Sequence, residues 1–290
     1  MRLLLVALLT CSIVAAGHAS GPVVLPLTFE KNLPLAPVAV NSTSSATFIL
    51  DSAASGCLID TDRAAAIGLK ATAKAFSRGS GGLQQVDVIP HLRLALGQIT
   101  IETDCYTLDM HSLGFNSHVD GVLGMPLFGQ HVVEIDYPGS KVRIFRPHEY
   151  HPSRNAEAIP IRVAVGPIVR GCIRLRGRHP IEFDMQLDTG SAHVLTVCTP
   201  VVDRYQLLEF ADEIVPGRTR GVGGNTPDVT GRIEGVCIGR FLLDNPLVHF
   251  SRDTKGAFAS EQYFAANLGG GFMKHYKVTF DIPGLKVYLE

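Results

Sequence analysis

Residues 185–190 read Met-Gln-Leu-Asp-Thr-Gly and end a stretch in which apolar and polar side chains alternate from Ile181 onward. Alternation with a period of two indicates a β-strand with one face toward the core. The apolar side chains lie on that inner face, whereas Asp188 falls on the polar face. Gly190 permits a sharp turn directly after the strand. The carboxylate of Asp188 is therefore expected to meet water or a partner.

A second segment of the same kind lies in the first half of the chain. Residues 48–53 read Phe-Ile-Leu-Asp-Ser-Ala and place Asp51 after an apolar run. Other short segments recur in the two halves in the same order, the last being residues 135–142 and 280–287, which share the pattern Asp-x-Pro-Gly-x-Lys-Val. Coincidental matches would not keep their order. We therefore interpret the chain as an internal duplication.

The duplication sets the predicted domain organisation of the 290-residue chain. We predict a signal peptide, an N-terminal lobe, a polar linker and a C-terminal lobe, with the boundaries 1–19, 20–146, 147–157 and 158–290. Period-two patterns predict that each lobe is mainly β, as in the alternation of Leu92, Leu94 and Leu96 with polar residues. Short helices are expected after Gly124 and Gly269, and one more over residues 62–69.

The first nineteen residues have the composition of a secretory signal. Met1-Arg2 precedes an apolar run, and Gly-His-Ala ends at Ala19, the expected cleavage site. An uncleaved anchor would need a longer apolar run. A lipoprotein is the other alternative, but apolar sequence continues past Cys11 and Thr10 precedes it, so we place Cys11 within the signal. The mature protein is expected to be secreted or periplasmic, with no stable membrane span.

Charge and motifs exclude several classes of function. The chain has 26 Lys and Arg against 27 Asp and Glu, which leaves no basic excess to neutralise a phosphate backbone, so nucleic acid is not an expected partner. The spacings typical of zinc sites, nucleotide-binding loops and serine hydrolases are absent from the sequence. Five cysteines follow the signal, an odd number that leaves at least one unpaired, and the sequence does not assign pairs among them: Cys57, Cys105, Cys172, Cys198 and Cys237.

The two Asp segments resemble the active-site motifs of the pepsin and retropepsin-like aspartic proteases, and more closely the secreted bacterial branch with two lobes on one chain. The family motif, an apolar residue followed by Asp, Thr or Ser, and Gly, matches fully at residues 187–190. The later motif of two apolar residues and Gly matches at residues 122–124, and more loosely at residues 267–269, which begin with Asn.

This resemblance implies a mainly β fold of two similar retropepsin-like closed-barrel lobes, related by a pseudo-twofold axis, with an active cleft between them. It implies an aspartic endopeptidase in which Asp51 and Asp188 form a dyad that activates water. Two carboxylic acids held this close share one proton, so neither metal nor cofactor is needed. The expected substrate is an extended peptide or unfolded polypeptide, and the expected state is a monomer.

Neighbouring residues receive supporting roles from the same resemblance. The Ser52 and Thr189 hydroxyls would lock the two turns together, and Ser191 would hydrogen-bond Asp188. His193 is expected to be packed or exposed rather than paired with Ser191. Two glycine-rich hairpin tips, residues 77–83 and 221–225, would close over the substrate as flaps through these glycines: Gly79, Gly81, Gly82, Gly221, Gly223 and Gly224.

The N-terminal lobe departs from the family pattern, because Ala53 replaces the motif Gly and Ala54 stands where the second lobe has Ser191. Ala53 keeps the backbone N–H that would hold Asp51, but it adds a methyl group either where two turns meet or at a position that requires a conformation open only to glycine. The sequence thus leaves an alternative to the protease: a catalytically inactive relative that keeps the cleft and binds peptides or acts as a regulatory protein.

Overall fold

The computed structural model describes residues 21–42, 44–115 and 118–290. The predicted signal peptide lies outside these ranges. The described chain is mainly β, as the sequence predicts. Within it, no helix combines the length and the apolar character required to cross a bilayer.

The first half of the chain holds eleven strands, which we number in chain order: β1 (Val23–Pro26), β2 (Thr28–Glu30), β3 (Leu33–Val40), β4 (Ser44–Leu50), β5 (Cys57–Asp60), β6 (Ala73–Gly79), β7 (Gly82–Leu96), β8 (Ile99–Leu108), β9 (Gly121–Leu123), β10 (Val132–Asp136) and β11 (Lys141–Phe145). The second half holds the others: β12 (Glu157–Pro160), β13 (Arg162–Val163), β14 (Pro167–Arg174), β15 (Ile181–Asp188), β16 (Leu195–Val197), β17 (Asp212–Gly221), β18 (Gly224–Arg232), β19 (Gly235–Ile238), β20 (Phe241–Asp244), β21 (Leu247–Ser251), β22 (Ala266–Gly269), β23 (Lys277–Asp281) and β24 (Lys286–Leu289).

The helices are short. The α-helices are α1 (Thr61–Ala66), α2 (Met125–Phe128), α3 (Thr199–Arg204) and α4 (Gly270–Met273), and 3-10 turns cover His111–Leu113, Pro147–Glu149, Leu207–Phe210 and Ala257–Ala259. Helices α2 and α4 confirm the predicted helical turns after Gly124 and Gly269. Helix α1 confirms the third, although it ends before Leu69.

Two large sheets carry most of the strands, and their strand orders correspond. The first runs β6-β7-β8-β5-β9-β4-β3-β2. The second runs β17-β18-β21-β16-β22-β15-β14, with β13 and the β19–β20 hairpin joined to β14. In the first sheet β3 also pairs with β7, so the sheet curls back on itself. Each sheet contains the predicted alternating strand: β15 buries Phe183, Met185 and Leu187, and β7 buries Leu92, Leu94 and Leu96.

A third sheet joins the two halves of the chain. Its order is β1-β11-β10-β23-β24-β12, and β10 pairs with β23 in antiparallel register, with Val133 opposite Phe280. The two Asp-x-Pro-Gly segments form the β10–β11 and β23–β24 turns of this sheet. The largest cluster of buried apolar side chains is continuous and includes residues from all three sheets.

Two disulfides cross-link neighbouring strands. Cys57 on β5 bonds to Cys105 on β8, and Cys172 on β14 bonds to Cys237 on β19. Cys198 is free and buried, in agreement with the unpaired cysteine that the odd number requires. Each disulfide typically contributes about 2–4 kcal/mol to the free energy of unfolding by restricting the unfolded chain.

Candidate active site

Asp51 and Asp188 follow directly on, or end, equivalent strands in the two large sheets. Asp51 comes after β4, which pairs in parallel with β9 and sets Leu50 opposite Leu123. Asp188 ends β15, which pairs in parallel with β22, so that Asp188 lies opposite Gly269. In both sheets, therefore, the strand that leads to the Asp has a parallel strand beside it. Both Asp residues are partly buried and both begin a tight turn.

The two turns are interlocked by buried hydroxyl groups. The Thr189 hydroxyl donates to the carbonyl of Leu50 (2.6 Å) and accepts from the backbone N–H of Ser52 (2.9 Å). The Ser52 hydroxyl donates to the carbonyl of Leu187 (2.8 Å) and accepts from the backbone N–H of Thr189 (3.1 Å). Both side chains are fully buried. Four reciprocal hydrogen bonds thus join residues from the two halves of the chain immediately below the carboxyl groups.

We expect Thr189→Val to lower the free energy of unfolding by about 2–4 kcal/mol, because it leaves a buried N–H and a buried carbonyl without partners. Val has nearly the same shape as Thr, so the loss reports the hydrogen bonds rather than a cavity. Thr189→Ser keeps the hydroxyl and serves as the control, with a smaller loss from the missing methyl group. Urea denaturation measures both. Equal losses in the two variants would show that the hydroxyl contributes nothing.

The carboxyl groups of Asp51 and Asp188 are close neighbours, and each changes the pKa of the other. The Oδ1 atom of Asp51 accepts from the backbone N–H groups of Ala53 (2.8 Å) and Ala54 (3.0 Å). The Oδ1 atom of Asp188 accepts from the N–H of Gly190 (2.8 Å). The backbone N–H of Ser191 donates to the backbone carbonyl of Asp188 (3.2 Å) and lowers the pKa of this carboxyl group.

Burial and mutual repulsion govern the ionisation of this pair. Burial raises the pKa of Asp51 well above its usual value, and the charge of Asp188 raises it further. Burial also raises the pKa of Asp188, against the opposing effect of hydrogen bonds, the first of them from Asn267. Two such groups lose their protons one after the other. The pair can therefore hold one proton and one negative charge together, as general acid–base catalysis on a shared water requires.

The two turns differ in how much room they leave. Among the described residues, the backbone of Ala53 does not adopt the left-handed conformation that favours glycine. Its N–H holds Asp51 as a glycine would. At Gly190, by contrast, an added Cβ would overlap the carboxylate of Asp51. The close approach therefore requires glycine on the side of Asp188 and tolerates alanine on the side of Asp51.

An amide pair beside Asp188 was not predicted from the sequence. The Nδ2 group of Asn267 donates to Oδ2 of Asp188 (2.6 Å) and to Oε1 of Gln186 (3.2 Å). Gln186 and Asn267 are buried. The signals for them in the sequence are polar residues at positions where the first half of the chain has Ile49 and Val122.

The glycine-rich segments form the tips of the hairpins β6–β7 and β17–β18, and the two tips touch. The N–H of Gly81 donates to the carbonyl of Val222 (2.9 Å). The Thr226 hydroxyl donates to the carbonyl of Ser80 (2.7 Å). An added Cβ at Gly81 would overlap the backbone of the opposite tip. Glycine therefore lets the two hairpins pack backbone against backbone.

A recess in the surface of the described chain lies at the hairpin tips and is lined by Leu83, Gln84, Ser112, Leu113, Gly221, Gly223 and Gly224. A larger, shallow recess lies around Arg178 and His179, next to the start of β15, whereas Asp188 ends that strand. The recess at the hairpin tips is thus the one formed by residues that the sequence singles out.

His193 packs against a second histidine. Its ring stacks on that of His249 with centroids 3.5 Å apart, and its Nδ1 lies 3.1 Å from the Thr196 hydroxyl. The Nδ1 atom of His249 is hydrogen-bonded to Asp228 (2.6 Å). Burial and the neighbouring His249 lower the pKa of His193 to about 4. These contacts agree with the expectation that His193 is packed rather than paired with Ser191.

The lowered pKa of His193 makes stability depend on pH. The unfolded chain binds a proton at His193 near pH 6.5, whereas the folded protein binds one only near pH 4. Between these values the proton is bound mainly by the unfolded chain, so the folded protein loses stability as the pH falls. We expect the wild type to lose about 1–3 kcal/mol relative to His193→Phe over this range, after allowance for partial solvent exposure. Phe keeps a ring against His249. Denaturation curves at both pH values test this, and parallel losses would contradict it.

Comparison with known proteins adds one match. Residues 36–127 match a family model described as aspartyl protease. The match contains Asp51, the turn that follows it and most of helix α2, and it stops well before Asp188. A comparison with curated proteins finds no match. The family match thus supports an aspartyl protease family through the first of the two halves.

Proposed function

We propose that the protein is an aspartic endopeptidase in which Asp51 and Asp188 form the catalytic dyad. The observation that carries this proposal is that the interlocked turns bring the two carboxyl groups together, each held by backbone N–H donors of its own turn. The aspartyl protease match at residues 36–127 supports the same chemistry. The N–H of Ala53 occupies the place of the motif glycine N–H, which favours the active enzyme over an inactive relative.

The proposal includes the architecture expected from the sequence. Residues 20–146 and 158–290 would form two similar lobes about a pseudo-twofold axis, joined by residues 147–157, with the dyad on the floor of a cleft between them. The corresponding strand orders of the two large sheets and the interlocked Ser52 and Thr189 support this arrangement. The hairpin tips would act as flaps over an extended peptide, to which exposed backbone groups offer hydrogen bonds.

The first chemical step joins water to the peptide carbonyl. The ionised carboxylate takes a proton from a water held between the two acids, and the water oxygen bonds to the carbonyl carbon. The electron pair of the C=O bond moves to its oxygen, which takes the proton of the other acid. The product of this step is a tetrahedral gem-diol, and the charge and the proton of the dyad have exchanged places.

The second step breaks the C–N bond. The newly protonated acid gives its proton to the nitrogen, which leaves with the bonding electrons as an amine. The other carboxylate takes a proton from one hydroxyl of the gem-diol, and the carbonyl of the new carboxylic acid forms. Each acid thereby returns to its starting protonation state. The chain's own two carboxyl groups supply every proton transfer in this cycle.

We also propose that the mature protein is a monomer that works outside the cytoplasm, in the medium or the periplasm. The two disulfides support this location, since such bonds persist in oxidising compartments.

The experiment is cleavage of an unfolded, reduced polypeptide by the purified protein between pH 3 and pH 7, followed by mass spectrometry. Activity should rise as the pH falls below neutral, because the shared proton is then held, and should fall again when both acids are protonated. Internal cleavage that follows this bell-shaped profile supports an endopeptidase. Absence of cleavage at every pH would favour the alternative, a catalytically inactive relative that binds peptides or acts as a regulatory protein.

A further inference from the structure

The surroundings of the two aspartates differ at one pair of positions. In the first sheet, Ile49 on β4 lies opposite Val122 on β9, and both side chains are apolar and buried. In the second sheet, the corresponding pair on β15 and β22 is Gln186 opposite Asn267. The strand pair beside Asp51 thus has two apolar side chains at these positions, whereas the strand pair beside Asp188 has two amides, one of which donates to Asp188.

The carbonyl of Val165 fixes the orientation of the Gln186 and Asn267 amides. The Nε2 group of Gln186 donates to the carbonyl of Val165, which can only accept. Its Oε1 atom must therefore face Asn267, and an oxygen there requires a donor. Asn267 meets this requirement with Nδ2, whose second hydrogen points to Oδ2 of Asp188. Rotating the Asn267 amide would set its oxygen against two acceptors.

The donors then divide unequally between the two acids. Both oxygens of Asp188 accept N–H groups: Oδ1 from Gly190 and Oδ2 from Asn267. On Asp51 the backbone donors of Ala53 and Ala54 both reach Oδ1. An oxygen that accepts a short hydrogen bond from an N–H group is a poor place for a proton, whereas Oδ2 of Asp51 receives no such bond from the described residues.

Burial of the Gln186–Asn267 amide pair lowers stability in a way that the corresponding apolar pair does not. The Oδ1 atom of Asn267 is buried and has no partner among the described residues. A buried acceptor left without a donor lowers the stability of the fold. Val122 shows that the same strand position can be filled by an apolar side chain, so packing alone does not explain the amide.

We infer that the Gln186–Asn267 amide pair fixes the protonation of the dyad, with the proton on Oδ2 of Asp51 and the negative charge on Asp188. This inference rests on the proposed function for its catalytic meaning and deepens it. Asp188 then takes the proton from water, and Asp51 donates to the carbonyl oxygen. Asn267 is a positioning residue, because it acts through Asp188. Tyr137, which follows β10, also interacts with both carboxyl groups, and burial raises the pKa of its hydroxyl, so it stays neutral.

The test titrates each acid alone and needs no substrate. Asp51→Asn leaves Asp188, and Asp188→Asn leaves Asp51, and carboxyl ¹³C NMR of Asp-labelled protein follows each against pH. We expect Asp188 to titrate at a lower pH than Asp51. Adding Asn267→Val should raise the midpoint of Asp188 by about 1–2 pH units, the equivalent of one hydrogen bond to a charged group, and leave that of Asp51 unchanged.

Two further variants keep the result interpretable. Val122→Ala alters the matching position in the other sheet, without a change of polarity, and should not move the midpoint of Asp188. If Asn267→Val fails to fold, the double variant Gln186→Ile with Asn267→Val reproduces the apolar pair of the first sheet. Equal midpoints for the two acids, or a shift of both on loss of Asn267, would overturn the inference.

A kinetic measurement separates this inference from the proposed function. In an active enzyme, Asn267→Val should move the acidic limb of the kcat/KM profile to higher pH by about the same 1–2 units, because the ionised form of Asp188 loses a donor. A protein that shows the NMR shift but cleaves nothing supports the inference and contradicts the proposed function. A protein that cleaves peptides, but whose acidic limb and NMR midpoints do not change in Asn267→Val, supports the proposed function and contradicts the inference.

Discussion

Replacing Asp188 with Asn is expected to lower the rate of peptide hydrolysis by at least about a thousandfold. An amide cannot take a proton from water, and loss of a general base costs on the order of 10²–10⁴ in rate. The pair also loses the shared proton and negative charge on which both chemical steps depend. The fold should persist, because Asn has nearly the same size as Asp and the interlocking hydrogen bonds of Ser52 and Thr189 remain.

Asp184→Asn is the matched control for this change. Asp184 lies on the same strand, β15, but its side chain is partly exposed and pairs with Arg162 at the surface. The same substitution there should leave cleavage unchanged. Rates of cleavage of an unfolded polypeptide, with circular dichroism to check the fold, give the comparison. Cleavage by Asp188→Asn at the wild-type rate would remove Asp188 from the dyad.

Gly190→Ala is expected to reduce activity by about a hundredfold or more. The added methyl group would overlap the carboxylate of Asp51, so the two acids must move apart. A displacement of about 1 Å between reacting groups can cost this much in rate. The measurement is kcat/KM for the variant against the wild type at the optimal pH, with thermal unfolding to show that the fold remains.

Ala53→Gly is the converse change in the other turn. It restores the family motif, but the described backbone of Ala53 needs no glycine and its N–H already holds Asp51. Activity should therefore stay unchanged or rise slightly, while stability falls by about 0.5–1 kcal/mol because glycine gives the unfolded chain more freedom. A large gain of activity would show instead that Ala53 disables the wild-type turn.

The features that the sequence predicts correctly are those that depend on neighbours along the chain. The alternation over residues 181–188 specifies β15 and the outward position of Asp188, and the segments after Gly124 and Gly269 form the expected helices. The glycine-rich segments predict hairpins because short turns with glycine relieve backbone strain. The duplicated order of segments also anticipates the corresponding strand orders of the two large sheets.

The features that the sequence does not reveal depend on pairs brought together by register. Gln186 meets Asn267 only because β15 and β22 are parallel in one particular register. The disulfide partners are set in the same way, by the alignment of β5 with β8 and of β14 with β19. The sequence raised the possibility that Ala53 stands where only glycine fits. Its conformation depends on the opposite turn, and the structure places that close approach at Gly190 instead.

In the proposed mechanism, Asp51 and Asp188 together hold the attacking water. The decisive experiment is a crystal structure with a peptide in which the scissile amide is replaced by a hydroxyl-bearing tetrahedral carbon, a mimic of the gem-diol. We predict that the hydroxyl oxygen lies about 2.6–3.2 Å from carboxyl oxygens of both Asp51 and Asp188, with the peptide extended beneath the hairpin tips. A peptide bound elsewhere, or a hydroxyl in contact with neither carboxyl group, would rule out an Asp51–Asp188 dyad.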